Sequence, residues 1–254
     1  MKILYIPDTQ AKPGNDFKFL TRIGQYICEK QPDVIVHGGD LADMPSLSSY
    51  DEGKKSFEGR RYTNDVQAAI EAQTALFQPL ALLQARQTQN RKKVYHPRTI
   101  ITVGNHENRI NRAINDDAKL EGLISQKDLC YESFFHEVYN FLDVVVVEGV
   151  AFSHYFVTGT AGRPASSAAA QMNKKHMSCI AGHQQGLQIA TAHRADGKRL
   201  TSVIAGSCYE HNEDYMGPQG NKHWRGVLML HDVKDGEFDL MPVSLDYLEK
   251  KYAG

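Results

Sequence analysis

Short apolar runs recur along the chain, and each ends in polar residues able to do chemistry. Ile3 to Ile6 lead into Asp8-Thr9-Gln10, Val34 to Val36 into Gly38-Gly39-Asp40, and Ile100 to Val103 into Gly104-Asn105-His106-Glu107. Val144 to Val147, a Glu148-Gly149 turn and Val150 to Phe152 lead into His154, and Ser178 to Ala181 into Gly182-His183. Runs of this length, rich in β-branched residues and bounded by glycine and polar groups, predict strands. In layered α/β proteins ligands bind beyond strand ends, on loops that the sheet holds still.

The spacing changes between the strands. Phe19, Leu20, Ile23 and Ile27 predict a helix over 17–30, so strand, helix and strand open the chain as a parallel βαβ unit. The stretch from Met44 to Arg98 is long for a connection, and its Ala-, Leu- and Gln-rich centre from Asn64 to Gln87 predicts one long helix or a helical pair. Arg109 to Gln126 and Tyr131 to Phe141 also read as helical. Thr201 to Ala205, Gly226 to Leu230 and Glu237 to Val243 read as strands, with a turn at Lys234-Asp235-Gly236. With no repeat or linker, the expectation is one α/β domain over 1–254 carrying a helical insertion over 44–98.

Composition narrows the function classes. A chain of 254 residues with 41% hydrophobic and 23% charged residues has the makings of a real core. A net charge of -1 argues against a molecule-wide trap for nucleic acid and leaves room for a local basic patch. Cys28, Cys130, Cys179 and Cys208 form no C-x-x-C pair, which argues against a zinc knuckle or a dithiol redox motif. They read as free thiols in a reducing compartment. The N-terminal apolar run is too short for a signal peptide, and no stretch reaches membrane-span length, so the expectation is a cytoplasmic protein without a membrane partner.

Asp8, Asp40, Asn105, His154 and His183 all follow predicted strands. Taken singly, an Asp there is more often a turn former or helix cap. Together they make a mixed oxygen and nitrogen set suited to Mn²⁺, Mg²⁺, Fe or Zn²⁺. In order along the chain, D-x-Q at Asp8, G-D-x-x-D from Gly39 to Asp43, G-N-H-E from Gly104 to Glu107, the lone His154 and G-H-x-Q from Gly182 to Gln185 resemble the calcineurin-like metallophosphoesterases. The opening Ile-Pro-Asp-Thr-Gln also looks like phage-encoded members of that family.

The resemblance implies a layered β-sandwich flanked by helices and a phosphoesterase using two divalent cations, Mn²⁺ foremost. It implies that Asp40 bridges the two metals, that Asn105, His154 and His183 complete one site, and that Asp8 serves the other. His106 would act as general acid, with Asp43 orienting it. Two departures fall on the Asp8 site: Gln10 and Gln185 stand where the family has histidines. Either both amides ligate a site that is weak, hard-cation-preferring or empty without substrate, or they only hydrogen-bond in a one-metal centre. Met44 stands where the phosphatase branch has an arginine, which argues against a protein phosphatase.

Other polar residues have plainer readings beside the functional one. His37 is either a supporting group or a strand-face histidine satisfied by backbone. His193, His231 and Cys208 read as structural, and His211, after Gly206-Ser207-Cys208-Tyr209, either approaches the site or is structural too. Lys54, Lys55, Arg60 and Arg61, interleaved with Tyr50, Phe57 and Tyr62, suit a phosphate-rich or single-stranded partner, or form a solvated loop. Arg91, Lys92, Lys93 and Arg98 read as an exposed loop. Arg109 is a candidate phosphate clamp, or a partner of Glu107 or Asp116. The leading expectation is thus hydrolysis of phosphodiesters or phosphomonoesters, with nucleic acid or nucleotide favoured. The alternative is a non-catalytic metal-binding module on the same scaffold.

Overall fold

A computed structural model describes residues 1–213 and 216–253. In chain order the elements are β1 (Ile3–Ile6), α1 (Lys18–Lys30), β2 (Val34–His37), α2 (Tyr62–Gln89), β3 (Arg98–Thr102), α3 (Arg109–Asp116), β4 (Glu137–Tyr139), β5 (Val145–Val147), β6 (Val150–Phe152), α4 (Ala168–Lys175), β7 (Cys179–Ala181), β8 (Leu187–His193), β9 (Arg199–Ala205), the short α5 (Gly217–Gly220), β10 (Gly226–Lys234), β11 (Glu237–Ser244) and α6 (Leu245–Tyr252).

Two sheets face each other. The first runs β11-β10-β1-β2-β3-β4 and the second β5-β6-β7-β9-β8. β1 to β4 are mutually parallel, as the opening βαβ unit requires, and β10 closes onto β1 antiparallel. Side chains alternate across a strand. Ile3, Tyr5, Val34, Val36 and Ile100 therefore pack against Val145, Phe152, Ile180 and Val203 of the second sheet. Leu4, Ile6, Ile35 and Ile101 face the other way, onto Phe19, Ile23 and Ile27 of α1 and Ala69, Ala72 and Leu76 of α2. Strand faces buried on both sides explain why these runs read as continuously apolar. The result is the layered β-sandwich flanked by helices that the motifs implied.

The helical centre of the 44–98 stretch is one helix, α2, which passes through Pro79 and lies against α1. Two expected helices are corrected. The one beginning at Arg109 stops at Asp116, because the Asp117 carboxylate caps Lys119 N in a separate turn and Gly122 sits at φ 78°. Tyr131 to Phe141 forms one 3-10 turn (Tyr131–Ser133) and then β4. The apolar spacing there reflects Tyr131 and Phe135 entering the core before the chain pairs with β3. β4, α4, β8 and α6 were not anticipated. No helix among the described residues is long and apolar enough to cross a membrane.

Candidate metal centre

The ends of strands from both sheets meet at one place. β1, β2 and β3 deliver Asp8, Asp40 and Asn105-His106, while β6 and β7 deliver His154 and His183. The loops are tied across the sandwich. Gly182 N donates to His154 O at 3.0 Å, His183 N donates to Asp8 Oδ1 and Oδ2 at 3.0 and 3.1 Å, and Gln10 N donates to Asp40 O at 2.8 Å. A Cβ on Gly104 would overlap Asp40, and one on Gly182 would overlap the Asp8 carboxylate, so the glycines of two motifs are needed for this approach. Gln10, Asp40 and His183 hold left-handed backbone, at φ 42°, 47° and 65°. Strain of this kind in non-glycine residues gathers at functional sites.

Ligand-type atoms converge here. Asp40, His154 and His183 each present one within 4.8 Å of the others. Asn105 Oδ1 lies 2.8 Å from His154 Nε2 and 2.7 Å from His183 Nδ1, and His154 Nε2 lies 3.4 Å from Asp40 Oδ2. His154 Nδ1 donates to Gly38 O at 2.8 Å, which turns Nε2 toward the cluster, as an outer hydrogen bond does for a ligating imidazole. Burial disfavours a charged His154, but Asp40 outweighs it and lifts the group to about 9. Burial and then Asp40 raise Asp8 to about 7. Burial and then His154 lower His183 to about 4. Buried carboxylates and imidazoles crowded in this way suit a divalent cation, which would replace the protons they otherwise share. The donor set of Asp40, Asn105, His154 and His183 fits Mn²⁺, Fe or Zn²⁺. The Gln10 side chain is buried, and among the described residues its Oε1 has no hydrogen-bond partner. Gln185 Oε1 instead accepts from Tyr209 Oη at 3.1 Å.

Beside the cluster, His106 Nδ1 is 2.6 Å from Asp43 Oδ1, and His106 N donates to Asp40 Oδ1 at 2.9 Å. Burial opposes the His106 charge, but Asp40 and Asp43 prevail and raise its pKa. Arg109 Nη1 donates to Asp43 O at 2.7 Å and to Met44 O at 3.3 Å, and Nη2 lies 3.3 Å from His106 Nε2. Among the described residues its partners are Asp43, Met44 and His106, not the expected Glu107 or Asp116. Arg60 is placed differently: its guanidinium donates to Ser56 O, Pro45 O and Asp51 Oδ2 and lies over Phe57. Arg61 is exposed and donates to Arg60 O. Among the described residues, neither Arg60 nor Arg61 hydrogen-bonds through its side chain to the cluster.

Residues outside the motif ligands also shape this place, of which Glu107, Lys12 and Tyr155 were not expected to. Glu107 is fully buried and accepts from Asp40 N (3.1 Å), Ala42 N (3.1 Å), Gly104 N (2.9 Å) and Tyr131 Oη (2.8 Å), so one carboxylate clasps two motif loops. Lys12 Nζ stands 2.7 Å from Glu213 and 3.9 Å from Asp43, and His211 Nε2 meets the same Glu213 at 2.6 Å. The Tyr155 ring lies 4.7 Å from that of His183. A basic residue two positions beyond Gln10 was the available signal for Lys12. His37 is neutral, lowered to about 3 by burial: Nδ1 accepts from Gly39 N at 3.2 Å and Nε2 meets Thr9 Oγ1 at 3.3 Å, which pins the Asp8 loop to the Asp40 loop.

The Gene 54 proteins of Mycobacterium phages L5 and D29 are each 32% identical to the chain over 108 residues, which is 42% of this chain and 36% of theirs. The match thus spans about a third of those relatives. Among solved structures, Yfce, a phosphoesterase from E. coli, aligns over 96% of this chain and 100% of its own, at 10% identity and a TM-score of 0.37. The model of the calcineurin-like phosphoesterases matches residues 1–224, which contain every motif loop described above, and the chain belongs to that family.

Proposed function

We propose that the chain hydrolyses phosphoesters with two divalent cations, and that its substrate is a diester of nucleic-acid or nucleotide type. The observation that carries this is the convergence of Asp40, Asn105, His154 and His183, with His106 and Asp43 beside them. Asp40 would be the shared ligand, Asn105, His154 and His183 would complete one site, and Asp8 would serve the other, with Gln10 and Gln185 in the positions beside it. Mn²⁺ is the first candidate, with Mg²⁺, Fe and Zn²⁺ behind it. Bound cations would supply Lewis-acid polarisation of the phosphate and an acidified water.

The protein's own groups do the rest. His106 gives the proton on Nε2 to the departing oxygen. Asp43, fixed on Nδ1, holds the ring and stabilises its charge. Arg109, anchored through Nη1, keeps Nη2 beside His106 Nε2 and clamps a phosphate oxygen there. The absence of the phosphatase arginine at Met44 supports a diester, as does Tyr50, 81% exposed among Lys54, Lys55 and Arg61. On this reading 1–254 acts as one domain with 44–98 inserted between two site loops. The four free cysteines support a reducing, cytoplasmic setting.

The test is hydrolysis of bis-p-nitrophenyl phosphate beside p-nitrophenyl phosphate after metal stripping and Mn²⁺ readdition. The expected outcome is Mn²⁺-dependent turnover, faster for the diester and abolished by Asp40→Asn. Metal-independent turnover, or turnover that survives Asp40→Asn, would overturn the proposal.

A further inference from the structure

Gln10 and Gln185 occupy matching positions in the motif pattern, yet the structure treats them differently. Gln185 has a settled partner. Its Oε1 accepts from Tyr209 Oη at 3.1 Å, and Tyr209 is itself held, with His211 stacked on its ring at 4.4 Å and the Arg225 guanidinium 4.9 Å from the ring centroid. Gln10 is only 2% exposed, its backbone is pinned to Asp40 O, and its Oε1 has no hydrogen-bond partner. A buried amide oxygen left unpaired costs free energy that a folded protein ordinarily avoids. Gln10 bears this cost in the loop that also carries Asp8, and in left-handed backbone.

The remaining donors on that side are oxygens too. His183 N donates to both oxygens of the Asp8 carboxylate, and each of them has a further lone pair. His106 N takes Asp40 Oδ1. We infer that Gln10, and not Gln185, completes the Asp8 side, so that the centre pairs an all-oxygen site selective for Mg²⁺ or Mn²⁺ with a nitrogen-containing site that takes Zn²⁺ or Fe. This rests on the metal-dependent reading above and makes the two sites chemically unlike. Carboxylate and amide oxygens are hard donors that suit Mg²⁺ and Mn²⁺, whereas imidazole nitrogens suit Zn²⁺ and Fe. Gln185 then acts as a wall residue, fixed by Tyr209.

The experiment is metal titration of the stripped 254-residue protein, followed by calorimetry with Zn²⁺ and Mg²⁺ and by electron paramagnetic resonance of free Mn²⁺. Gln10→Leu, Gln185→Leu and Gln10→His are compared with the parent. The parent is expected to bind one Zn²⁺ tightly and then one Mn²⁺ or Mg²⁺ in preference to a second Zn²⁺. Gln10→Leu should weaken that second cation by more than the roughly tenfold that loss of an outer-sphere partner costs, with Gln185→Leu weakening it less. Gln10→His should let Zn²⁺ compete for the second position. Metal-free Gln10→Leu should melt no lower than the parent, because an apolar group replaces an unpaired oxygen, so a binding loss there is not a folding loss.

Equal, tight binding of two Zn²⁺ by the parent would overturn the inference while leaving the phosphoesterase reading in place. So would a second cation that depends on Gln185 and not on Gln10. Failure of the Asp40, Asn105, His154 and His183 site to bind any cation in folded protein would overturn both.

Discussion

Glu107 and the segment from Tyr50 to Tyr62 use their charges in opposite ways. The Glu107 carboxylate accepts from Asp40 N, Ala42 N, Gly104 N and Tyr131 Oη, so it binds the loops after β2 and β3 to the 3-10 turn before β4. The segment's charges stay at home: Arg60 binds Ser56 O, Pro45 O and Asp51, Lys54 binds Asp51, and Arg61 binds Arg60 O. A charge satisfied across distant elements fixes the geometry of whatever lies between them. A charge satisfied by its neighbours in sequence fixes only its own loop. On that basis Glu107 governs the shape of the site, and Arg60 governs the shape of an exposed turn.

The largest effect should come from breaking the clasp. Glu107→Ala would leave three buried backbone N–H groups and the Tyr131 hydroxyl without their acceptor, each at about 1–3 kcal/mol. We expect a stability loss of at least about 3 kcal/mol by urea denaturation. A loss within about 0.5 kcal/mol, as for an ordinary surface substitution, would show that the loops hold together without it.

His106→Asn should leave the fold intact and act on chemistry. Loss of a general acid costs about two to four orders of magnitude in kcat. The loss should be large for a diester with an alkyl leaving group and small for p-nitrophenolate, which needs little protonation. Asp43→Asn should lose less, and the double variant little more than His106→Asn alone, because Asp43 works through His106. Equal losses for both leaving groups would remove the acid role. No turnover of either ester by protein that binds its cations would favour the non-catalytic module.

The parts of this molecule that were legible beforehand are those written locally. β1, β2, β3, β6 and β7 showed as apolar runs because both of their faces are buried, and each announced its loop with a motif. α1 and α2 showed through spacing and composition. The glycines of Gly104-Asn105 and Gly182-His183 were visible as motif letters, and the structure supplies their reason, contact with Asp40 and Asp8. What stayed hidden depends on distant partners. β4 is a strand only because β3 offers it an edge, and its apolar neighbours Tyr131 and Phe135 imitated a helix. The asymmetry of Gln10 and Gln185 was invisible in their identical side chains, since it is set by Tyr209, which lies 24 residues beyond Gln185. Arg109 was ambiguous for the same reason: its acceptors, Asp43 O and Met44 O, belong to another loop.

Arg109 sits between the two extremes of the comparison, since its contacts cross to the Asp43 loop but its Nη2 remains beside His106. Arg109→Lys keeps the charge and loses the planar fork that reaches backbone and substrate together. The expected result is a loss of about tenfold to a hundredfold in kcat/KM with little change in melting temperature, a cost of about 1.4–2.8 kcal/mol in transition-state binding. Full activity in Arg109→Lys would reduce the residue to a tether for the Asp43 loop.

The smallest effect is expected at Arg60. Its side chain is 20% exposed, and its ion pair with Asp51 at 2.8 Å is local, so Arg60→Ala should cost about 1 kcal/mol or less in stability and leave hydrolysis of small esters unchanged. Arg61→Ala should be silent in both assays, because its guanidinium donates to its neighbour's carbonyl and the backbone bonds its own carbonyl accepts remain. The comparison sharpens when the substrate is a single-stranded oligonucleotide. If the 50–62 segment meets nucleic acid, it does so through Tyr50, Lys54, Lys55 and Arg61, whose side chains face solvent. Tyr50→Ala with Arg61→Ala should then raise KM for the oligonucleotide, with a weaker dependence on salt, while kcat for bis-p-nitrophenyl phosphate holds. An unchanged oligonucleotide KM would assign the segment to the solvated loops, and the substrate would have to be read from Arg109 and the walls of the centre alone.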